Sequence, residues 1–349
     1  MTGKAIVELR NIHTVFKSRR RLFGKGRPPV RAVDGVSLVI HEEEIFGLVG
    51  ESGCGKSTLA RTLLGLQRES SGEIIINGRS VGGLEPRAAR RVRRDLQYVH
   101  QDPGAALDPW WRIGASLDET LKIGGISDLH ERAERIEQML DAVGLNAAFT
   151  KRFPHEISGG QQRRVGLARV LGLRPRIVIL DEPTSGLDLS VQATVLRLVR
   201  DLRARFGLTY LFISHDLSVV RRMCERVAIM YLGRIVEIGP TATIFETPRH
   251  PYTQALLASA PRLKPGQLEE MKVLEGDPPN PASRPSGCAF HTRCPHARPK
   301  CADDDPKLRS IGQGHEVACI RLDELMPGSA EEKTSLDAAL ALVDQHARE

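Results

Sequence analysis

The chain is poor in aromatic residues. Phe, Trp and Tyr make up 4% of its 349 residues, with only two tryptophans. That argues against a broad stacking surface for single-stranded nucleic acid, which needs ring after ring along a groove. Long apolar runs are missing too. Stretches such as "AALALV" near the C-terminus fall far short of the roughly 18 residues that a membrane-spanning helix requires. No signal peptide is read at the start, because "MTGKAIVELRNIHTVF" enters strand-like alternation at once. These absences lead to the expectation of a cytoplasmic protein that serves a membrane, if at all, through a partner. Cysteines are few and uneven. Of six, Cys54 and Cys224 stand alone, whereas Cys288, Cys294, Cys301 and Cys319 crowd one segment. In a reducing compartment such a cluster suggests metal more than disulfides.

What is present is ordinary for a globular chain with a real core: 41% apolar and 27% charged residues. A net charge of +7 permits an anionic ligand or a membrane surface and proves neither. The length suits about two domains, or one with appendages. Residues 5–16 and 31–49 alternate like strands, split by the basic loop "KSRRRLFGKGRPPVR". "IFGLVG", "GEIIING" and "LQYVH" read as further strands, with a helix from Lys56. From about 102 to 160 the apolar spacing turns helical, and strand–helix alternation returns with "RIVILDE", "LTYLFISH" and "RVAIMYLG". The layout predicts an α/β core around a mainly parallel sheet, interrupted by a helical insertion. After about residue 241 the texture becomes proline-rich, and the last stretch could form one amphipathic helix.

Three stretches carry chemistry. Gly50-x4-Gly55-Lys56-Ser57 matches the phosphate loop, with a strand before it and a helix after it. Its glycines let backbone N–H groups converge on phosphate oxygens, and the helix N-terminus adds partial positive charge. Lys56 would reach the β and γ phosphates, and Ser57 would coordinate Mg²⁺. "RIVILDE" ends an apolar strand in two carboxylates. Asp181 stands where a carboxylate would hold Mg²⁺, and Glu182 where one would orient or deprotonate the attacking water. Between these motifs, Ser158, Gly159 and Gly160 precede an amphipathic helix and make a second anion-binding N-terminus.

In this order the motifs resemble those of ATP-binding cassette (ABC) ATPases across residues 5–240. "SGGQQ", Ser158 to Gln162, corresponds to the signature loop; "HQDP" supplies Gln101; "SGLD" ends at Asp188; "ISHDL" supplies His215; Phe16 matches the adenine-stacking aromatic. The resemblance implies a P-loop NTPase cassette of the α/β class: a mixed RecA-like sheet, an antiparallel β subdomain and a helical insertion, joined here to a small Cys-rich C-terminal module. The expected boundaries are 1–101 with 165–240 for the core, 102–164 for the helical subdomain, 241–325 for the C-terminal module and 326–349 for a tail. The implied catalytic residues are Glu182, His215, Gln101 and Lys56. The implied ATP contacts are Phe16, the loop Gly50, Glu51, Ser52, Gly53, Cys54, Gly55, Lys56, Ser57 and Thr58, then Ser158, Gly159, Gly160, Gln161 and Asp188. Mg²⁺ would take Ser57, Gln101 and Asp181. Two cassettes would sandwich two ATP molecules head to tail, the phosphate loop of one facing Ser158 and Gly160 of the other.

"FETPRHPYTQALLASAP", "PSGCAFHTRCPHARPKC" and "VACI" further resemble the C-terminal region of the ATPases of oligopeptide and dipeptide importers. That implies a second ATPase subunit, a related chain rather than an identical one, two transmembrane permease subunits and an extracytoplasmic solute-binding protein. It places the chain on the cytoplasmic face of the membrane and implies no nucleic acid. The four clustered cysteines have gaps of five, six and seventeen residues, wider than the usual pairs of structural zinc sites. Together with the resemblance, this favours a 4Fe–4S cluster over zinc. His291, His296 and His315 are read as surface residues rather than substitute ligands. Cys54 is read as filling a permissive position. Glu43 departs from the family's glycine in a tight turn. Trp110 and Trp111 stand near where a permease subunit would dock, or else pack inside the insertion. "RAARRVRR", residues 87–94, is read as a solvated helix face. A soluble ABC ATPase acting on nucleic acid and an iron–sulfur ATP sensor are the rival readings.

Overall fold

The structure, a computed structural model, describes residues 3–17, 28–82, 84, 87–89, 93–100, 107–259 and 276–325. Gln101, most of the basic loop, Arg90 to Val92 of the basic stretch and the 326–349 tail lie outside the described residues.

Two sheets organise the chain. The smaller is antiparallel and takes β1 (Ala5–Phe16), β2 (Val30–His41), β4 (Ser71–Ile76) and β5 (Arg79–Ser80) in the order β2-β1-β4-β5. The larger contains β3 (Ile45–Val49), β6 (Leu96–Val99), β7 (Ile177–Asp181), β8 (Thr209–Ser214), β9 (Arg226–Tyr231) and β10 (Arg234–Pro240), closed at one edge by β11 (Arg309–Ser310) and β12 (Glu316–Val317). Its order is β11-β12-β10-β9-β3-β8-β7-β6. From β9 to β6 all neighbours are parallel; β9, β10, β12 and β11 are antiparallel. The sheet is mixed, as the cassette resemblance implies. A reading from alternation alone finds neither β10 nor the two-residue strands that join it.

β3, β7 and β8 are buried at every position. Both faces of a parallel sheet are covered, so these strands read as unbroken apolar runs. The two-residue period still sorts their side chains. Phe46, Leu48, Ile177, Ile179, Leu211 and Ile213 join the core under β1 and β2. Ile45, Val49, Val178, Leu180, Tyr210 and Phe212 face the opposite core, shared with the helical insertion. That insertion holds the helices Ile113–Ile123 and Leu129–Ala142, whose Leu117, Leu121, Ile136 and Leu140 turn inward at helical spacing.

Glu43 occupies its turn in a conformation open to glycine. It adopts φ +59°, the left-handed conformation that glycine reaches freely, and its N–H donates to Thr209 Oγ1 at 2.9 Å. The residues beyond 240 are tied back into the cassette. β12 extends the main sheet through β10. Arg284 and Arg234 both donate to Asp34 Oδ2, at 2.6 and 2.9 Å, and the Asp34 side chain is 2% exposed. Burial alone would raise the Asp34 carboxyl; the hydrogen bond from Arg234 and the neighbouring positive charges hold it below the ordinary range.

Candidate functional site

β3, β8, β7 and β6 are consecutive in the sheet and parallel, so the loops after them emerge side by side. In open α/β sheets this end is where ligands bind. The loop after β3 is Gly50 to Gly55. The loop after β8 begins at His215, and the one after β7 begins at Glu182 beside Asp181. Gln101 follows β6 in sequence, outside the described residues.

The phosphate-loop motif leads into the helix Lys56–Leu64, capped by Gly55 at φ +113° with no side-chain cap. The N–H groups at its start are therefore not taken by a side-chain cap. Two glycines are required by close approach. A Cβ on Gly50 would stand 2.1 Å from the Met230 carbonyl oxygen, and one on Gly55 would stand 2.2 Å from that of Ala32. Lys56 is buried, and its Nζ donates to the carbonyls of Gly50 at 2.7 Å and Glu51 at 3.0 Å. A buried ammonium held by two backbone carbonyls and, at 3.8 Å, the Cys54 sulfur, with no carboxylate among these contacts and with uncapped N–H groups beside it, fits a polyphosphate. Ser52 and Gly53 are exposed, while Ser57 and Thr58 are half-buried. Cys54 is buried and its thiol is pushed up by that burial, which suits packing rather than redox chemistry.

Asp181 is also buried, and its Oδ2 accepts from the Tyr98 hydroxyl at 2.6 Å. Sequence reasoning passed over Tyr98. Its one signal is its place on β6, in register with Ile179 of β7. A hydroxyl such as Ser57 and a carboxylate such as Asp181 are the oxygen donors that Mg²⁺ takes. Glu182 adopts φ +50°, and its Oε1 lies 2.9 Å from His215 Nδ1. A non-glycine residue in that conformation costs of order 1–3 kcal/mol and is concentrated at functional sites. Its N–H is held by the Ile213 carbonyl at 2.9 Å. The backbone thus aims the carboxylate while the imidazole holds it.

The serine-led turn is built differently. Ser158 caps the helix Gly159–Leu171: its hydroxyl accepts from the Gln161 N–H at 3.3 Å, and Gln161 Oε1 accepts from the Ser158 N–H at 3.0 Å. Ser158 and Gly159 are exposed. Gly160 lies against the next helix, where a Cβ would come within 2.9 Å of Val191 Cγ1. Arg163 donates to the carbonyls of Pro183 and Ser185, tying this helix to the loop after Glu182. Asp188 is exposed at the start of the helix Leu189–Phe206. Phe16 ends β1, 42% exposed.

The cysteine-rich segment departs from expectation. All four of its cysteines are free thiols. Among the described residues no group of three or more His, Cys, Asp or Glu side chains is placed to hold a metal ion, so the arrangement lends no support to an iron–sulfur cluster or zinc. The thiols do lie within reach of one another's charge. Burial first, then Cys288, Cys294 and Cys301, push Cys319 up to about 11. His315 is not the surface residue expected: it is buried, with Nε2 2.8 Å from Glu237 Oε1. A buried carboxylate selects a buried partner, and composition gives no hint of that. His291 Nδ1 lies 2.9 Å from the Cys288 carbonyl oxygen, and His296 is exposed. Trp110 and Trp111 are 85% and 41% exposed, so neither packs in the insertion's core.

The family model described as ABC transporter matches residues 33–185, and the one described as oligopeptide/dipeptide transporter, C-terminal region, matches residues 236–301. The chain is 44% identical to the oligopeptide transport ATP-binding protein AppF of Bacillus subtilis, over 90% of its own length and 97% of that protein. It is 42% identical to the di/tripeptide transport ATP-binding protein DppF of Pseudomonas aeruginosa, over 93% of this chain and 99% of that one. A putative peptide import ATP-binding protein of Brucella ovis is 48% identical over 92% and 99%. Among solved structures, a dimeric ATP-binding cassette in a post-hydrolysis state with ADP and phosphate superposes with a TM-score of 0.59 at 28% identity, covering 68% of this chain and 99% of that one.

Proposed function

Because this chain belongs to the ABC transporter family and is an ABC ATPase, we propose that it powers the import of peptides or a similar small solute across the cytoplasmic membrane. The observation that carries this reading is the Glu182–His215 pair at the strand ends beside the phosphate loop. The peptide half rests on the C-terminal match and on the relatives' described roles.

In the proposed mechanism the phosphate loop and Lys56 hold the β and γ phosphates, and Phe16 stacks on adenine. Lys56 exchanges its carbonyl partners for phosphate oxygens, a stronger charge-assisted contact. Ser57, Asp181 and Gln101 would hold Mg²⁺, which supplies neutralisation of the charge that develops on the phosphates. Glu182 takes a proton from water as the water oxygen attacks the γ phosphorus, and the bond to the bridging oxygen of ADP breaks. His215 keeps the carboxylate aimed and contacts the γ phosphate.

The Ser158 turn completes the site from a second cassette, with Asp188 at the same interface. ATP favours the closed pair because its γ phosphate touches both halves, and hydrolysis removes that preference. No helix among the described residues is long and apolar enough to cross a membrane. A peripheral position beneath two permease subunits, fed by an extracytoplasmic binding protein, follows from this reading. Exposed Trp110 and Trp111 suit the permease contact, since buried aromatics anchor such interfaces. A cluster at Cys288, Cys294, Cys301 and Cys319 rests only on the number of thiols and their mutual charge. Iron in brown, anaerobically purified protein would support it; zinc alone, or neither metal, would remove it.

Replacing Glu182 tests the hydrolytic reading. Glu182→Gln should retain ATP binding, slow turnover by about 10²–10⁴-fold, and accumulate closed cassette pairs in size-exclusion chromatography with ATP. Turnover like that of the unaltered protein would take Glu182 out of the mechanism.

A further inference from the structure

The second residue of the phosphate loop is held from the far end of the chain. Both carboxylate oxygens of Glu51 accept from Arg293: Nη1 to Oε2 at 2.8 Å and Nη2 to Oε1 at 3.1 Å. The Arg293 side chain is 5% exposed and that of Glu51 24%, so the guanidinium is covered while the carboxylate keeps an edge toward water. The backbone N–H of Glu51 donates to the Tyr252 hydroxyl at 3.0 Å. Tyr252 is fully buried, in the helix Pro251–Ala258. Its ring packs on Tyr231, 4.6 Å between centroids, and on Phe290 at 5.3 Å. Tyr231 ends β9, next to the Met230 carbonyl that lies against Gly50. The Glu51 carbonyl in turn accepts from Lys56 Nζ.

One loop residue is therefore gripped at its side chain and its N–H by residues 242 and 201 positions away, while its carbonyl holds the phosphate-binding lysine. The chemistry explains why a grip is needed. Glu51 puts a negative charge into a loop that must receive a polyanion. Left free, the carboxylate repels phosphate and competes for Lys56. A bidentate guanidinium neutralises it and fixes its direction.

We propose that the C-terminal region sets the affinity of the cassette for ATP, with Arg293 as the positioning residue that neutralises Glu51 and Tyr252 as the strut that fixes the loop's backbone. Nucleotide binding and docking of this region are then linked, and each strengthens the other by the same factor. The proposal rests on ATP binding at the phosphate loop and not on the identity of the transported solute.

The test uses the full-length chain and titration with Mg-ATP. Arg293→Ala should weaken ATP binding about tenfold, the scale of one lost charge-assisted contact. In the assembled transporter, kcat at saturating ATP should stay within about twofold while KM rises. Combining it with Glu51→Gln should restore most of the affinity, because the repelling charge is gone; a merely structural arginine would not be rescued this way. Unchanged affinity in Arg293→Ala, or a double variant as weak as the single one, overturns the proposal. Should Arg293→Ala lose its fold, Tyr252→Phe decides instead: it keeps the ring packing and should weaken ATP about threefold, and no change overturns the proposal. An unaltered chain that binds no ATP would remove the ATP-site reading itself, a result distinct from either.

Discussion

The Lys56–Leu64 and Gly159–Leu171 helices both begin at glycines, and their N-termini are finished in opposite ways. At Lys56–Leu64 the loop is enclosed: carbonyls of Met230 and Ala32 crowd its glycines, Lys56 is buried, and Arg293 and Tyr252 hold Glu51. At Gly159–Leu171 the turn is exposed, and its cap closes on itself through Ser158 and Gln161. A Cβ built on Gly159 meets nothing within 4 Å. Both ends carry the same partial charge. What differs is what surrounds them. The first is enclosed by this chain's own residues, and the second is left exposed, as the proposed contact with a second cassette requires. That asymmetry is the physical basis for expecting a second cassette.

Breaking the enclosed site should have the largest effect. Lys56→Ala removes the buried ammonium proposed to meet the phosphates and should weaken ATP binding by about 10²-fold, the scale of two charge-assisted contacts, read by nucleotide titration. Altering the open turn should separate binding from turnover. Ser158→Arg places bulk and charge on the exposed surface and should leave the single chain's ATP affinity within about threefold, while ATPase activity of the assembled transporter falls by about 10²-fold. If ATP affinity collapsed equally, the two ends would not differ as described. A smaller effect is expected at Tyr98. Tyr98→Phe removes the hydroxyl held at 2.6 Å by Asp181 Oδ2. It should lower kcat by about tenfold or less, the worth of one hydrogen bond to a charged group, and raise the Mg²⁺ concentration for half-maximal activity. An unchanged Mg²⁺ profile would make Tyr98 only a packing residue.

Much of this was legible because it is local. The phosphate loop is six contiguous residues, Gly50 to Gly55, with a strand before and a helix after, and its residue types and spacing show within that window. β3, β7 and β8 announce themselves as apolar runs because both their faces are covered. Asp181 and Glu182 stand at the end of one such run. Arg293 and Tyr252 were invisible for the converse reason. They reach Glu51 across more than two hundred residues, and a lone arginine between cysteines carries no period. β11 and β12 are two residues long, below any pattern of alternation. His315 lies in a glycine-rich turn sequence that reads as surface, yet Glu237, fully buried, needs a partner there. Glu43 shows another non-local case: a non-glycine residue stands at φ +59°, and its N–H is held by Thr209 Oγ1 from a distant strand.

The central claim is that ATP lies between the phosphate loop of one cassette and the Ser158 turn of another. A small photo-crosslinking residue in place of Ser158, in the Glu182→Gln background and with the transporter assembled in its membrane, tests this most directly. With Mg-ATP, mass spectrometry should find position 158 joined to a phosphate-loop peptide of a second cassette-bearing chain, and the product should vanish without nucleotide. Crosslinks confined to the same chain, or to a second chain regardless of ATP, would contradict it.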